Sequence, residues 1–450
     1  MPEGINSAQR GTARAPAGGM MGLKRDPVFW GLALLEIAAV FLLDLHHEAE
    51  QGVYSGVFIP SARGLWETGT FSLYGEKAFY PMWGYPLFVL ICGFSPAAIL
   101  AAQGALCFAA IAFLYATLPL QPRFFHLAAV FPFAALCSIK WPNAITGALL
   151  IFFICSFAGY LNRPRLRLLL IGGFAAGAAV NMRGESWIWG AGIFFALVFP
   201  MRAEMRARGA KFGIAVILIQ LLCIGPWAIR AYAVLGTPRL TPTHGGGLAL
   251  VSLGQSPDNP WGVVNTDSWV HAFAAQKNLG SPYSPAADAA MRREFIRLVA
   301  AHPAAFAEKA LHNLGNFFYR GVFTGQFFTL TLTEAGFWKT VETIRAGGAG
   351  AAFAKMPLTT AITIMLYFCL DYLFRAGWLF LLFGVGITVS GMVIRGEPVP
   401  PMAALTVTFT LATIALVSFL YYEPRHVTYL WLPLAASLLT LKAARTTEDP

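Results

Sequence analysis

The amino-acid sequence predicts an all-α polytopic membrane protein with about ten transmembrane helices. Hydrophobic residues make up 57% of the 450 residues and charged residues only 12%, which is more apolar than a soluble domain of this length needs. Apolar runs of membrane-spanning length recur along the chain, and short basic clusters separate them. The formal net charge of +10 therefore indicates cytoplasmic loops rather than a nucleic-acid partner.

Most of the predicted spans come from apolar runs that approach the roughly 20 residues needed to cross a bilayer. They are Val28–Leu43, Pro96–Leu118, Phe124–Cys137, Ala144–Leu161, Leu166–Ala179, Trp187–Pro200, Phe212–Leu235, Met402–Leu420 and Val427–Leu441. The stretch Pro357–Ile394 is too long for one span, since a single helix would measure about 57 Å. Asp371 and Arg375 interrupt it. Either a loop separates two spans there, or an interfacial helix leads into one span; the basic residues Arg395, Lys442 and Arg445 favour the second alternative.

The distribution of basic residues predicts the orientation. Alternate loops carry the arginines and lysines, which places these loops in the cytoplasm; the residues are Lys24, Arg25, Arg123, Arg163, Arg165, Arg167, Arg202, Arg206, Arg208 and Lys211. The opposite loops then face outside. These are the insert Asp44–Tyr85, the turns Lys140–Asn143 and Asn181–Ser186, the region after Leu235 and the segment Tyr421–His426.

This topology divides the chain into five parts. We expect a disordered cytoplasmic N-terminus at 1–26, a membrane domain at 27–235 that includes a first outer loop at 44–85, an extracytoplasmic region at 236–352, C-terminal membrane helices at 353–442 and a cytoplasmic tail at 443–450. The density of aromatic residues in the first outer loop predicts that it lies at the membrane interface.

The region 236–352 carries local helix signals. Ser284 followed by Pro285 predicts a helix start, with Asp288 in the first turn and an end at His302. A second helix is predicted from Pro303 to Phe318. We expect this region to pack on the membrane domain, because it would not be stable alone.

Charged residues from distant parts of the chain are predicted to meet at the outer surface. They are Asp44, Glu48, Glu50, Arg63, Lys140, Arg183, Glu185, Arg230, Glu423 and Arg425. Ionisable groups at membrane depth are costly and tend to face a cavity or a partner. Carboxylates serve as general bases or acids, and guanidinium groups match phosphate oxygens. The cluster therefore suggests chemistry on a lipid-borne phosphate ester.

Structural roles compete with each of these assignments. Asp44 could simply cap the end of the first helix or mark the interface. Arg183 and Glu185 could pair with each other around Gly184, and Arg230 could extend to the membrane surface. His244 before three glycines could form a phosphate-cradling loop. His46 and His47 with nearby glutamates leave a divalent metal open, although no ligand spacing requires one; no other cofactor is predicted.

Three sequence motifs resemble the outer elements of one membrane-enzyme family. Pro226-Trp227 with Arg230 and Gly236 resembles the PW..R......G turn of bacterial glycosyltransferase family 39, within the GT-C superfamily that includes aminoarabinose and protein mannosyl transferases. The stretch from Ser61 to Ser72 and the run from Trp83 to Phe88 resemble elements of the family's first outer loop. Glu423-Pro-Arg425-His426 and the residues up to Pro433 resemble its late motif. Together these matches span nearly the whole chain in the family's order.

The resemblance implies a GT-C fold in a bacterial inner membrane, with an active site facing outward. Its donor would be a polyprenyl-phosphate-linked sugar and its acceptor a lipid, glycan or protein of the cell envelope. An acidic residue of the first outer loop would be the general base, and arginines would stabilise the departing lipid phosphate. The family position for the acid falls at Tyr54, so the candidate bases are Asp44, Glu48 and Glu50. The candidates for substrate binding are Arg63, Tyr85, Lys140, Arg183, Glu185, Arg230, His244, Glu423, Arg425 and His426.

Two other functions fit the same pattern. A transporter or flippase of lipid-linked glycans would use a similar charged cavity, but transporters tend to contain internal repeats and broken helices, and the sequence has no repeat. A catalytically inactive relative acting as a scaffold is suggested by Tyr54.

Overall fold

The computed structural model describes residues 57–69, 72–73, 76–77, 82–117, 142–236, 238–319, 340, 343–344, 356–421 and 427–446. These residues form a helical structure with one short hairpin. The elements are α1 (Ile59–Thr68), β1 (Ser72–Leu73), β2 (Glu76–Lys77), α2 (Gly84–Ile91), α3 (Pro96–Thr117), α4 (Pro142–Asn162), α5 (Leu166–Met182), α6 (Ile188–Ala196), α7 (Ala203–Leu235), α8 (Gly245–Ser252), α9 (Asp267–Gln276), α10 (Pro285–Ala301), α11 (Pro303–Tyr319), α12 (Leu358–Ile394), α13 (Pro401–Phe419) and α14 (Trp431–Thr446). β1 and β2 pair antiparallel.

Five of these helices are long and apolar enough to cross a membrane. The candidate spans are Pro96–Leu114, Pro142–Asn162, Ala203–Leu235, Asp371–Ile394 and Pro401–Phe419. Leu166–Met182 and Trp431–Lys442 are shorter apolar helices. The predicted spans Val28–Leu43 and Phe124–Cys137 lie outside the described residues, so the total of about ten stays a prediction.

Helix α4 is the centre of the membrane domain. It is buried along most of its length and contacts α3, α5, α7 and α13. At its middle, the ring of Phe153 lies 5.5 Å from that of Trp189 on α6 and 5.9 Å from that of Phe409 on α13, between centroids. This aromatic cluster fixes the start of α6 and the middle of α13 against α4, because such ring pairs add to the energy of apolar burial.

Glycines let α5 approach α7 closely. A Cβ atom at residue 173 would lie 2.3 Å from Ile219 Cδ1, and one at residue 177 would lie 2.5 Å from Cys223 Sγ. Small residues four apart on one face are a common way to bring membrane helices together, since packing rather than water exclusion drives their association.

Asn181, near the end of α5, connects this helix to α2 and α7 through hydrogen bonds. Its side-chain nitrogen donates to Gly177 O and Cys223 O, each at 3.1 Å, and its Oδ1 accepts from Trp83 Nε1 at 2.6 Å. A Cβ at residue 84 would lie 2.5 Å from Asn181 O. The start of α2 is therefore fixed against the end of α5 and the middle of α7.

The first outer insert packs into the membrane domain in its described part. α1 ends at Gly69, whose φ of 67° is in the left-handed region that glycine adopts readily. Val57, Phe58 and Ala62 are buried in the same core as α3 and α4. Residues 44–56, 70–71, 74–75 and 78–81 of the predicted interfacial loop lie outside the described residues.

Helix α12 is continuous through the predicted interruption. It runs for 37 residues from Leu358 to Ile394, so the alternative with a loop at Asp371 and Arg375 is wrong. Arg375 Nη2 instead donates to Asp371 Oδ2 at 2.5 Å, four residues apart on one face. This neutralises both charges within the helix, and the candidate span Asp371–Ile394 begins at this pair.

The helix signals in the region 238–319 are confirmed. α10 begins at Pro285, and Ser284 Oγ accepts a hydrogen bond from Ala287 N at 3.1 Å, as an N-cap residue does. α11 follows from Pro303 to Tyr319. The region has its own small core, to which α8, α9 and α10 contribute.

Lys309 and Asn313 of α11 join this region to the end of α13. Lys309 Nζ donates to Phe419 O at 2.9 Å, to Ser252 Oγ at 3.2 Å and to Leu420 O. Asn313 Nδ2 donates to Val417 O at 3.2 Å. The expectation that the region packs on the membrane domain is met through these contacts.

Candidate functional site

A pocket opens where α4 begins, α6 begins and α13 nears its end. We call it the Arg183 pocket, and it is lined by Thr146, Leu150, Arg183, Glu185, Ser186, Ile188, Trp189, Phe409, Ala412, Thr413, Leu416 and Tyr429. Arg183 and Glu185 are the charged members of this lining. The other side chains are hydroxyl-bearing, aromatic or aliphatic, so the pocket combines one ion pair with a largely apolar wall.

The ion pair is created by the turn between α5 and α6. Arg183 ends α5 in an extended conformation, with φ −143° and ψ 117°, and a 3₁₀ turn from Gly184 to Trp187 follows. The turn brings Arg183 Nε and Nη2 each to 2.5 Å from Glu185 Oε1. Arg183 is 18% exposed and Glu185 43% exposed, so the carboxylate is the more accessible partner.

Two buried amides hold this turn in place. Asn143, the second residue of α4, accepts a hydrogen bond from Arg183 Nη1 through its Oδ1 at 2.5 Å. Gln220 of α7 donates from Nε2 to Ser186 O at 3.1 Å. Because both amides belong to packed helices, the guanidinium and the carboxylate have fixed positions rather than those of a mobile surface pair.

Several other residues of the pocket lining come from the C-terminal part of the chain. Thr413 Oγ1 of α13 lies 3.2 Å from Tyr429 Oη in the 3₁₀ turn Thr428–Leu430. The rings of Trp189 and Phe409 lie 6.2 Å apart between centroids and form the aromatic floor. The pocket therefore has hydroxyl groups and π faces in addition to its ion pair.

One predicted outer segment, Asn181–Ser186, contributes Arg183, Glu185 and Ser186 to the pocket lining. Asn143, from the predicted turn Lys140–Asn143, is not a lining residue but contacts Arg183. Tyr429 follows the predicted segment Tyr421–His426 by three residues. The alternative in which Arg183 and Glu185 pair around Gly184 is confirmed. Their role in binding a substrate stays a prediction.

Four other predicted site residues are described but are not among the residues lining this pocket. Arg63 is exposed on α1. Tyr85 is fully buried, and its hydroxyl lies 3.0 Å from Gln103 Oε1. Arg230 lies on α7 with its guanidinium carbon 5.6 Å from the centroid of Trp227. His244 precedes α8. Seven predicted site residues lie outside the described residues: Asp44, Glu48, Glu50, Lys140, Glu423, Arg425 and His426.

The glycines after His244 form the first turn of α8 rather than an open loop. Gly246 N donates to Asp288 Oδ1 at 2.7 Å, and Asp288, 1% exposed, also accepts from Arg239 and Arg292. This carboxylate occupies the position that a phosphate would take at a helix start. Burial lowers the pKa of His244, against the opposing effects of Asp267 and Asp288 and with a smaller lowering by His271.

The residues that sequence reasoning missed are neutral. Asn143, Thr413 and Tyr429 were overlooked because the prediction selected charged side chains. A usable signal existed for Tyr429, which lies within the late motif from Glu423 to Pro433. Within the described ranges, no group of three or more His, Cys, Asp or Glu residues could hold a metal ion. The predicted alternative of a divalent metal depends on His46, His47 and their neighbours, which lie outside those ranges.

No protein-family model matches the chain, and no curated protein does either. Among solved structures, the chain is similar to the archaeal oligosaccharyltransferase AglB from Archaeoglobus fulgidus in complex with an inhibitory peptide and a dolichol-phosphate, at 15% identity and a TM-score of 0.45. The likeness covers 93% of this chain and 50% of that one, so this chain spans about half the length of that protein. At such a score the likeness does not establish a shared fold.

Proposed function

We propose that this protein is a GT-C-type glycosyltransferase that moves a sugar from a polyprenyl-phosphate-linked donor to a cell-envelope acceptor at the extracytoplasmic face of a bacterial inner membrane. The observation that carries the proposal is the Arg183 pocket. It joins a fixed carboxylate, hydroxyl groups and aromatic rings at one end of several apolar helices. Such a lining suits a polar ligand that reaches the protein at the membrane surface.

The three motifs support the same proposal from the sequence. One of them contains Tyr429, which lines the pocket. A second contains Arg230, and the third covers α1 and the start of α2. The resemblance to glycosyltransferase family 39 therefore involves segments that pack into one membrane domain.

The proposed reaction is a displacement at the anomeric carbon of the donor sugar. One of Asp44, Glu48 and Glu50 takes the proton of an acceptor hydroxyl, whose oxygen attacks C1. The bond between C1 and the phosphate oxygen breaks, and polyprenyl phosphate leaves with the electron pair. Arg230 and Arg425 are the proposed partners of this phosphate, because a guanidinium fork matches its oxygens. A divalent metal at Asp44–Glu50 remains an alternative partner for the phosphate.

The test is transfer of label from a panel of radiolabelled polyprenyl-phosphate sugars to membrane extract. Purified protein in nanodiscs is compared with its Asp44→Asn, Glu48→Gln, Glu50→Gln and Arg425→Ala variants, and Arg297→Ala on the exposed side of α10 is the control. We expect one carboxylate variant to lose transfer while retaining donor binding. Binding or liposome translocation without any transfer by the wild type contradicts the enzyme assignment and favours a flippase or an inactive scaffold.

A further inference from the structure

We infer that the Arg183 pocket binds a sugar ring through Glu185, with Arg183 acting as a positioning residue and not as the ligand of the lipid phosphate. This inference rests on the proposed function and adds which part of the substrate the pocket takes. It also changes the role predicted for Arg183 from the sequence, where its guanidinium was a candidate partner for phosphate.

The first step is the charge of the pocket. Arg183 contributes one positive charge and Glu185 one negative charge, and the other lining residues are neutral. A phosphate entering the pocket would meet a carboxylate that is more exposed than the guanidinium paired with it. Like charges at short range repel, and the guanidinium is already neutralised by its partner. A neutral ligand avoids this cost.

The second step concerns the two oxygens of Glu185. Both of the short contacts from Arg183 reach Oε1, and among the described residues no hydrogen bond reaches Oε2. An ionised carboxylate accepts hydrogen bonds and cannot donate them. Oε2 is therefore placed to accept from a hydroxyl group. Arg183 holds the carboxylate through Oε1, and Asn143 in turn accepts a hydrogen bond from Arg183 Nη1, which fixes the position of the guanidinium.

The third step concerns the hydroxyl-bearing and aromatic residues of the lining. Thr413 and Tyr429 supply hydroxyl oxygens that can both donate and accept, and Trp189 and Phe409 supply aromatic faces. A sugar ring presents hydroxyl groups around its edge and C–H groups on its faces, so it can satisfy a carboxylate, hydroxyl partners and an aromatic floor at the same time. Sugars could reach this pocket on the lipid-linked donor or on a glycan acceptor.

The experiment compares binding of ligands with and without a sugar. Wild type, Glu185→Gln, Arg183→Lys and Arg183→Gln are prepared in nanodiscs, with Glu294→Gln on α10 as the matched carboxylate control. The probes are a short polyprenyl phosphate, its mannose, glucose and N-acetylglucosamine esters, and the corresponding methyl glycosides. Melting temperatures identify any variant that fails to fold.

We expect Glu185→Gln to weaken binding of the sugar-bearing lipid by about tenfold or more, as removal of a hydrogen bond to a charged group does. Binding of the sugar-free lipid should stay within about twofold. Arg183→Lys keeps the charge but lacks the planar fork, so its affinity for the sugar-bearing lipid should lie between those of wild type and Arg183→Gln. In a turnover assay, the loss should appear in KM for the sugar-bearing substrate more than in kcat.

The outcomes distinguish a donor sugar from an acceptor sugar. They also distinguish failure of the proposed function from failure of this inference. If binding of the sugar-bearing lipid changes, the pocket holds the donor sugar; if only methyl glycoside binding changes, it holds the acceptor. If wild type binds neither form of the lipid, the proposed function fails, and loss of methyl glycoside binding in Glu185→Gln still supports a sugar site. Tighter binding of sugar-free lipid by Glu185→Gln, together with weaker binding by Arg183→Gln, overturns the inference, because it assigns the pocket to phosphate.

Discussion

Replacing Lys309 with Met should change how the stability of the protein depends on pH. Lys309 is completely buried at the junction of α11 and α13, and its ammonium group donates to two carbonyl oxygens at the end of α13 and to Ser252. Burial lowers the pKa of Lys309 from its ordinary 10.5 to about 7. Met has a similar length and no charge, so it removes the titration while filling most of the same space.

The sign and size of the effect follow from this pKa. Between about pH 7 and pH 10.5 the unfolded chain keeps the proton on Lys309, whereas the folded protein releases it. Stability therefore rises with pH in this window and is flat below it. Each pKa unit corresponds to about 1.4 kcal/mol, which gives a gain of roughly 2 kcal/mol between pH 7 and pH 9.

The assay is thermal unfolding in detergent at a fixed scan rate, from pH 6 to pH 9, for wild type and Lys309→Met. The melting temperature of wild type minus that of Lys309→Met should stay constant up to about pH 7 and then rise by a few degrees. Lys277→Met, at an exposed position of the same region, should follow wild type throughout. Parallel curves for wild type and Lys309→Met would refute the reasoning, since the three acceptors would then keep the ammonium fully charged at pH 9.

Three further substitutions test the packing described above. Ser284→Ala should lower the free energy of unfolding by about 1 kcal/mol through loss of an N-cap, measured by denaturant unfolding, with Ser284→Asp as a variant that keeps the cap; equal losses in both would contradict this. Gly246→Ala should cost about 1–3 kcal/mol, because its Cβ would lie 2.1 Å from Asp288 O, and an unchanged melting temperature would argue against this close approach. Asp371→Ala should cost about 3–5 kcal/mol by leaving Arg375 charged within α12, whereas the double variant with Arg375→Met should recover most of the loss; no recovery would mean that the pair is not the cause.

The sequence predicted features whose causes are local. The start of α10 was readable because a Ser, a Pro and an Asp within five residues each favour a helix terminus. The break after α5 was readable because a polar stretch follows an apolar run. The predicted pair of Arg183 and Glu185 is likewise local, since the two residues are two positions apart.

Contacts between distant residues were not readable in the same way. The bond from Arg183 to Asn143 joins residues 40 apart, and the one from Lys309 to Phe419 joins residues 110 apart. No periodicity or composition specifies such pairs, because they depend on how helices pack. The sequence left open whether a loop interrupts α12 at Asp371 and Arg375, although the distribution of basic residues favoured the alternative without a loop. A charged pair in an apolar run can indicate a loop, but an ion pair four residues apart also fits within a helix.

The three bonds of Asn181 have a practical consequence for chimeric proteins. The start of α2 touches Asn181 through Trp83 and Gly84, and Arg183 follows only two residues later. Exchange of the first outer segment with that of another protein would therefore also alter the support of the turn that carries Glu185. A functional graft of this segment should carry the end of α5 with it, so that the exchanged pieces keep their shared contact.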